Sequence, residues 1–152
     1  MKVFRIGKTK FSKDLTGEGA KLHGGRWNHV SIPCIYCSEN RALAVLEYTV
    51  NVNIDDIPRT LSITTFEIPD KGIFEIVSAS LPGNWKEAPA PASTKDFGSS
   101  LLKDLKYPVL KIPSAVIEKE FNYILNPLTP LSGNFKILEV VDFIYDVRIK
   151  LV

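Results

Sequence analysis

Glu47 is a carboxylate on an otherwise apolar helix face, which makes it the residue of this sequence best suited to chemistry. It follows Leu43 by four positions, a spacing that places both side chains on one side of a helix. Leu46 and Val50 share that side, so we expect it to face the core. An inward carboxylate costs free energy unless it is hydrogen-bonded, paired or used. Glu47 is therefore a candidate catalytic group, and the alternative is a boundary glutamate that extends to water or pairs with a nearby arginine.

A candidate anion-binding cation precedes this helix. Gly24 and Gly25 allow backbone conformations that are closed to other residues, and Arg26 follows them directly. A guanidinium group presents parallel donors that fit a phosphate or a carboxylate. Arg26 is therefore a candidate for binding an anionic group. Arg5, in the first apolar segment, is either a second cation of the site or a charge at its rim.

Three further polar residues occur in or beside apolar segments. Tyr36 ends the short apolar strand expected at 34–36. Ser114 follows another expected strand and is either a turn residue or a hydroxyl presented to a cleft. Asn122 lies among apolar residues in 121–127, where it is either a cap or a ligand contact. All three are candidate site residues.

The spacing of Cys34 and Cys37 is that of a Cys-x-x-Cys metal motif, and His23 and His29 precede it. On a strand, however, positions 34 and 37 point to opposite faces and cannot bind one ion. There is also no second cysteine pair. We therefore expect buried, reduced thiols and no metal site.

Alternating apolar residues predict a sheet with few helices. The expected strands are 3–6, 34–36, 61–68, 73–77, 109–112 and 135–141, with 143–151 closing the sheet. Helices are expected after Ser38 and after Thr94, because each can act as an N-cap. Residues 7–25 are rich in glycine and are expected to be a long loop. Residues 82–93 are expected to be an exposed loop in which Trp85 packs on the core.

Length and composition limit the class of protein. The 152 residues fit one domain, and a hydrophobic content of 45% supports a core. A formal net charge of +2 without a basic run does not favour direct nucleic-acid binding. No segment resembles a signal peptide or could span a bilayer, so we expect no membrane association and a cytoplasmic location.

Several segments, taken in order, resemble the RES domain family. They include Gly-Gly-Arg-Trp-Asn (24–28), Ala-Leu-Ala-Val-Leu-Glu (42–47), Ile-Pro-Ser-Ala-Val (112–116) and Asn-Tyr-Ile-Leu-Asn-Pro (122–127), with further matches at 15–20, 35–36, 81–85 and 143–148. The family is named for an Arg, a Glu and a Ser, which here resemble Arg26, Glu47 and Ser114. We therefore expect one RES domain over residues 1–152.

The resemblance implies a fold similar to that of ADP-ribosyltransferase toxins, namely a single α+β domain with a mostly antiparallel, split sheet and flanking helices. It also implies the toxin of a type II toxin–antitoxin system, which consumes NAD, arrests growth and is held by an Xre-type DNA-binding antitoxin. NAD would be the substrate, with no prosthetic group. The resemblance does not separate hydrolysis or phosphorolysis of NAD from ADP-ribosylation of a protein. A catalytically inactive antitoxin-binding module is a further alternative, against which the intact Arg26, Glu47 and Ser114 set argues.

These residue types suit cleavage of the nicotinamide–ribose bond, which passes through an oxocarbenium-like state as glycoside hydrolysis does. Glu47 would stabilise the positive charge and hold the ribose hydroxyls, and Arg26 would bind the pyrophosphate. Tyr36 would stack on the nicotinamide ring. Ser114 would orient the ribose or the leaving group. The remaining substrate contacts are expected from Asn122 and Arg5.

Overall fold

The computed structural model of the protein describes residues 1–150, in which seven strands form one sheet flanked by three helices. The strands are β1 (Lys2–Lys8), β2 (Ile35–Ser38), β3 (Leu61–Glu67), β4 (Ile73–Glu75), β5 (Val109–Pro113), β6 (Phe121–Leu125) and β7 (Lys136–Phe143). The helices are α1 (Glu18–His23), α2 (Arg41–Asn51) and α3 (Ala92–Lys103). No helix within residues 1–150 is long and apolar enough to cross a lipid bilayer.

The sheet has the order β4-β5-β6-β2-β1-β3-β7 and is antiparallel except between β4 and β5. This confirms the expected α+β fold with a mostly antiparallel sheet. β1 pairs with β3 along its whole length, whereas β1 and β2 are joined by the single pair Phe4 and Ser38. The sheet is therefore split between β1 and β2, as expected, and a cleft opens there.

Both faces of the sheet carry buried apolar clusters, although the edge strand β7 is largely exposed. One face carries a core cluster that includes Val3, Cys37 and Phe66. On the other face, α2 covers β1 and β3 through a smaller cluster of Phe4, Ile6, Ala44 and Ile63. Beside it, Trp85 is buried with Trp27 and Leu102, which confirms that the loop at 82–93 is anchored on the core.

The face of α2 that packs on the sheet differs from the expected one at its C-terminal end. Leu43 is buried, but Val50 is 56% exposed, so the expectation that Val50 faces the core is wrong. Thr49 is buried in its place, and its hydroxyl bonds both Val45 O and the Tyr145 hydroxyl. A threonine can take this position because its own helix supplies a carbonyl acceptor.

Both expected N-caps are corrected by the structure. α2 begins after Asn40, whose side chain accepts a hydrogen bond from Leu43 N, while Ser38 is the last residue of β2. α3 begins at Ala92, and the Thr94 hydroxyl donates to Pro91 O inside the first turn. The N-cap of α2 lies two residues after the expected Ser38, and that of α3, Pro91, lies three residues before the expected Thr94.

Three other segments also differ from expectation. Residues 7–25 are not one loop, because they include the end of β1, a 3-10 turn at Thr9–Phe11 and α1. Residues 121–125, for which no element was expected, form the strand β6, so Asn122 is a strand residue rather than a cap. Residues 143–150 do not close the sheet, because β7 ends at Phe143 and a 3-10 turn follows at Val147–Ile149. Residue 151, the end of that expected segment, lies outside the described residues.

Candidate active site

Glu47, Ser114 and Asn122 meet at one oxygen atom. Glu47 Oε1 accepts hydrogen bonds from Ser114 Oγ at 2.7 Å and from Asn122 Nδ2 at 2.6 Å. α2 supplies the carboxylate, β6 supplies the amide, and the hydroxyl immediately follows β5. Within residues 1–150 no ion pair involves Glu47, so its partners are neutral donors rather than an arginine. The structure therefore brings three of the predicted site residues together.

The Ser114 hydroxyl is fully engaged by the protein. Ser114 is 0% exposed, and its Oγ accepts hydrogen bonds from the backbone N–H groups of Val116 and Ile117, each at 3.0 Å. Its one proton is donated to Glu47. A hydroxyl has one donor and two acceptor sites, so none remains for a ribose in this arrangement. Ser114 thus supports the carboxylate, and the turn after β5 fixes Ser114.

Tyr36 is tied to the glycine-containing loop through Asn28, a residue that sequence reasoning did not single out. The Tyr36 hydroxyl donates to Asn28 Oδ1 at 2.6 Å and accepts from Trp27 N at 3.0 Å. Asn28 is completely buried, and its amide also donates to Ala20 O and Ile32 O. Burial raises the pKa of Tyr36 well above its usual range, so the phenol is neutral.

Gly25 is required by the close approach of this loop to Tyr36. A Cβ atom built at Gly25 would lie 2.7 Å from the Tyr36 hydroxyl oxygen, closer than real Cβ atoms come to other atoms. The carbonyl of Gly25 also accepts a hydrogen bond from Lys95 Nζ at 2.9 Å, which connects the loop to α3. The position of the next residue, Arg26, therefore depends on contacts from both sides of the loop.

Arg26 is held by backbone carbonyls. Its Nη1 donates to Trp85 O at 2.9 Å and to Glu87 O at 2.7 Å. Both bonds use the same nitrogen, so within residues 1–150 the edge formed by Nε and Nη2 has no hydrogen bond to protein and can still bind an anion in two-point fashion. No hydrogen bond joins Arg26 to Glu47 in the described part of the chain.

A cavity of about 250 Å³ occupies the split between β1 and β2. Its lining includes Arg5, Ile6 and Tyr36, but neither Glu47 nor Arg26. Tyr36 relates the cavity to the carboxylate, because it lies two residues before Ser38 on β2 and so on the same face of the sheet. Ser38 Oγ is 2.8 Å from Asn122 Oδ1, and Asn122 bonds Glu47. Tyr36 therefore lies on the same face as the Glu47 cluster, whereas Arg5 reaches the cavity from the opposite face, where it lies over Phe66.

Arg5 forms part of the cavity wall and orders the loop beside it. Its guanidinium donates to Phe11 O at 2.9 Å and to Ser12 O at 3.2 Å, and it lies over the Phe66 ring at 5.0 Å. Burial lowers the pKa of Arg5, although arginine remains a cation at any physiological pH. These contacts make Arg5 a half-buried, loop-binding cation, and a direct contact with substrate stays a prediction.

The two cysteines lie on opposite faces of the sheet, as the strand geometry predicted. Cys34 is in the cluster around Trp27, and Cys37 is in the cluster around Phe66. Both are buried and free, and burial raises the pKa of each thiol to about 12. Within residues 1–150 no group of three or more His, Cys, Asp and Glu side chains is arranged to hold a metal ion.

The amino-acid sequence of the chain matches the model of a known family. The RES domain model matches residues 2–146, and the chain belongs to this family.

Two relatives are similar along most of the chain. The protein described as Prs ADP-ribosylating toxin from Sphingobium sp. (strain YBL2) is 33% identical over 145 residues, which cover 93% of this chain and 89% of that protein. The protein described as Toxin Res from Yersinia enterocolitica is 32% identical over 156 residues, covering 99% of this chain and 100% of that protein.

A solved structure supports the fold. The crystal structure of the M. tuberculosis MbcT-MbcA toxin-antitoxin complex contains a chain that matches 93% of this chain with a TM-score of 0.73. The match covers 83% of that chain at 17% sequence identity, so it is a likeness of fold. The overall fold is therefore shared with a chain of that complex.

Proposed function

We propose that the protein is the toxin of a toxin–antitoxin pair and that it consumes NAD by cleaving the nicotinamide–ribose bond. The observation that carries this proposal is the Glu47 carboxylate, held by Ser114 and Asn122 on the sheet face that borders the cleft. Membership of the RES domain family, and relatives described as toxins, support the same conclusion.

Glu47 would stabilise the positive charge that develops on the ribose as nicotinamide leaves. A fixed carboxylate is effective here because its orientation does not have to change as the charge appears. Arg26 would bind the pyrophosphate through its free Nε and Nη2 edge, and Tyr36 would contact the nicotinamide ring from the cavity wall. NAD is the substrate in this scheme.

Transfer of ADP-ribose to a protein is the second candidate, and a specific observation favours it. The Sphingobium relative, 33% identical to this chain, is described as an ADP-ribosylating toxin. The same carboxylate serves either reaction, because the two differ only in what attacks the ribose after nicotinamide departs. Water gives hydrolysis, phosphate gives phosphorolysis, and a protein side chain gives ADP-ribosylation.

An antitoxin is the proposed partner, because an enzyme that destroys a central cofactor cannot remain active in the cytoplasm. The structural neighbour was solved as a toxin-antitoxin complex. We expect the partner to be a DNA-binding protein of the Xre type, encoded beside this chain. A carboxylate or chain terminus of that partner, placed near Arg26, would occupy the position of the NAD phosphates.

Expression in a bacterial host tests this proposal. The wild-type chain alone should arrest growth and deplete cellular NAD, and co-expression of the neighbouring gene should restore both. Cells that express Glu47→Gln should grow without the neighbouring gene. The Glu139→Gln variant, changed at an exposed position on β7, should remain toxic. Normal growth with full NAD pools in cells that contain soluble wild-type protein would contradict the toxin proposal.

Growth arrest without NAD loss would instead favour the transferase. Labelled NAD should then mark a cellular protein in cells that express the wild-type chain, and the Glu47→Gln variant should leave that protein unmarked.

A further inference from the structure

The carboxylate of Glu47 is held by one oxygen only. Oε1 receives both hydrogen bonds, from Ser114 and Asn122, and Oε2 receives none from residues 1–150. In the same part of the chain, every buried side-chain nitrogen or oxygen has a hydrogen-bond partner. Oε2 therefore remains accessible, and it is the carboxylate oxygen that can meet a substrate.

The Asn122 amide has one orientation that suits this carboxylate. If the amide were turned over, Oδ1 would face Oε1, and two acceptors would oppose each other. Nδ2 must therefore point to Glu47, and Oδ1 then points away from it, into the sheet. Asn122 is half-buried, and a carbonyl oxygen that points into the sheet is held in place by a donor of its own.

Ser38 supplies that donor. The β2–β6 register places Ser38 directly opposite Asn122, and Ser38 Oγ donates to Asn122 Oδ1 at 2.8 Å. Ser38 is 3% exposed, so water does not compete for this bond. Ser38 is also the residue of β2 that pairs with Phe4 of β1, at the point where the two parts of the split sheet join.

We propose that Ser38 is a positioning residue for the reaction, because its hydroxyl fixes the Asn122 amide and that amide holds Glu47 with Oε2 free for the substrate. This inference rests on the NAD-cleaving function proposed above. Ser38 does not touch the substrate and acts only through Asn122. Ser114 holds the same oxygen independently, since its hydroxyl is fixed by the backbone of residues 116 and 117.

Replacing Ser38 should therefore affect turnover more than binding. In Ser38→Ala the Asn122 Oδ1 loses its donor, and the amide is free to rotate away from Glu47. We expect kcat for NAD to fall about 5- to 10-fold, the scale of one buried hydrogen bond. KM should stay within about twofold, because Ser38 makes no contact with NAD.

Ser62→Ala is the matched control. Ser62 is a strand serine that is also buried, at 1% exposure, and its hydroxyl also makes one side-chain bond, to Thr9 Oγ1 at 2.8 Å. It lies on β3, outside the chain of bonds that leads to Glu47. Ser62→Ala should keep wild-type kcat even if its melting temperature falls as much as that of Ser38→Ala.

A double-mutant cycle separates positioning from a general structural role. If Ser38 acts through Asn122, then adding Ser38→Ala to Asn122→Ala should lower kcat by less than about twofold further. Ser38→Thr keeps the hydroxyl and should retain most of the wild-type kcat. If Ser38→Ala does not fold, Ser38→Cys replaces it in the cycle, because a thiol is a weaker donor of similar size.

Two results would overturn the inference while leaving the proposed function intact. One is a Ser38→Ala enzyme whose kcat is within twofold of that of Ser62→Ala. The other is a double-mutant cycle in which the fold-losses of kcat caused by Ser38→Ala and Asn122→Ala multiply in the double variant. Wild-type protein that does not turn over NAD in any of the three reactions would overturn the function and this inference together.

Discussion

The Glu47 cluster and the Arg26 loop are held in place in different ways. Glu47 is bonded by side chains that come from or directly follow strands β5 and β6. Arg26 is bonded by carbonyls of the 82–91 loop, and the carbonyl of its neighbour Gly25 is bonded by Lys95. Strand side chains hold a reacting group to a narrow geometry, whereas loop carbonyls allow a ligand-binding group to adjust. We therefore expect variants in the first region to change kcat and variants in the second to change affinity.

The largest effect should come from Glu47→Gln. This change keeps the size of the side chain and removes its charge, so NAD turnover should fall at least ~100-fold, as for loss of one positioned electrostatic group. NAD affinity, measured by calorimetry, should change little. A folded Glu47→Gln enzyme with near-normal turnover would show that Glu47 has no role in the reaction. The expected difference between the two regions, one affecting kcat and the other affinity, would then be wrong.

Ser114→Ala should have the next largest effect, and it should lower the stability of the protein as well as its turnover of NAD. The change removes one of the two donors to Glu47 and leaves the N–H groups of Val116 and Ile117 without their acceptor. We expect kcat to fall about 10-fold and the free energy of unfolding to fall by about 1–3 kcal/mol. Urea titration and steady-state kinetics on the same preparation test both. A raised KM at unchanged kcat would instead assign Ser114 to ribose binding.

Arg26→Lys should weaken NAD binding about 10-fold with a small change in kcat. A lysine ammonium is a point charge and cannot bond two loop carbonyls while presenting a two-point edge to a pyrophosphate. Calorimetric titration with NAD measures the loss. Unchanged affinity would show that Arg26 serves only to hold the 82–91 loop.

The smallest effect concerns the thiols. Burial raises the pKa of Cys34 and Cys37 from about 9 to about 12, so the reactive thiolate is scarce in the folded protein at pH 8. Iodoacetamide should therefore leave the native protein unmodified, while both thiols should react in urea. Mass spectrometry that finds rapid labelling of either cysteine in the folded state would show that the sheet around β2 opens.

Periodicity was enough to find Glu47, because a carboxylate stands out among Leu43 and Leu46. It failed at Val50, because α2 buries Thr49 instead, and the partner that makes this possible, Tyr145, is 96 residues away. Ser38 was predicted to be the N-cap of α2, a position that Asn40 takes, because serine and asparagine are about equally favourable as N-caps. Local sequence does not show which of them faces a strand.

The other missed features also depend on distant residues. The strand β6 was not predicted because it contains Asn122, and amide side chains are unfavourable in strands unless a specific partner satisfies their hydrogen bonds. Here that partner is Glu47, 75 residues away. The acceptors of Arg26, at Trp85 and Glu87, are 59 and 61 residues distant and are backbone atoms, which carry no sequence signal.

The order in which the chain is made has a consequence for the Glu47 cluster. Ser114 follows Glu47 by 67 residues and Asn122 follows it by 75. At the usual rate of roughly 5–20 residues per second, the carboxylate is on the growing chain for about 4–15 seconds before its second donor is synthesised. β6 also pairs with β2 across a similar separation, so the strand that carries Ser38 has no neighbour on that side until then. A nascent chain therefore lacks the complete Glu47 cluster until Asn122 and the rest of β6 have been synthesised.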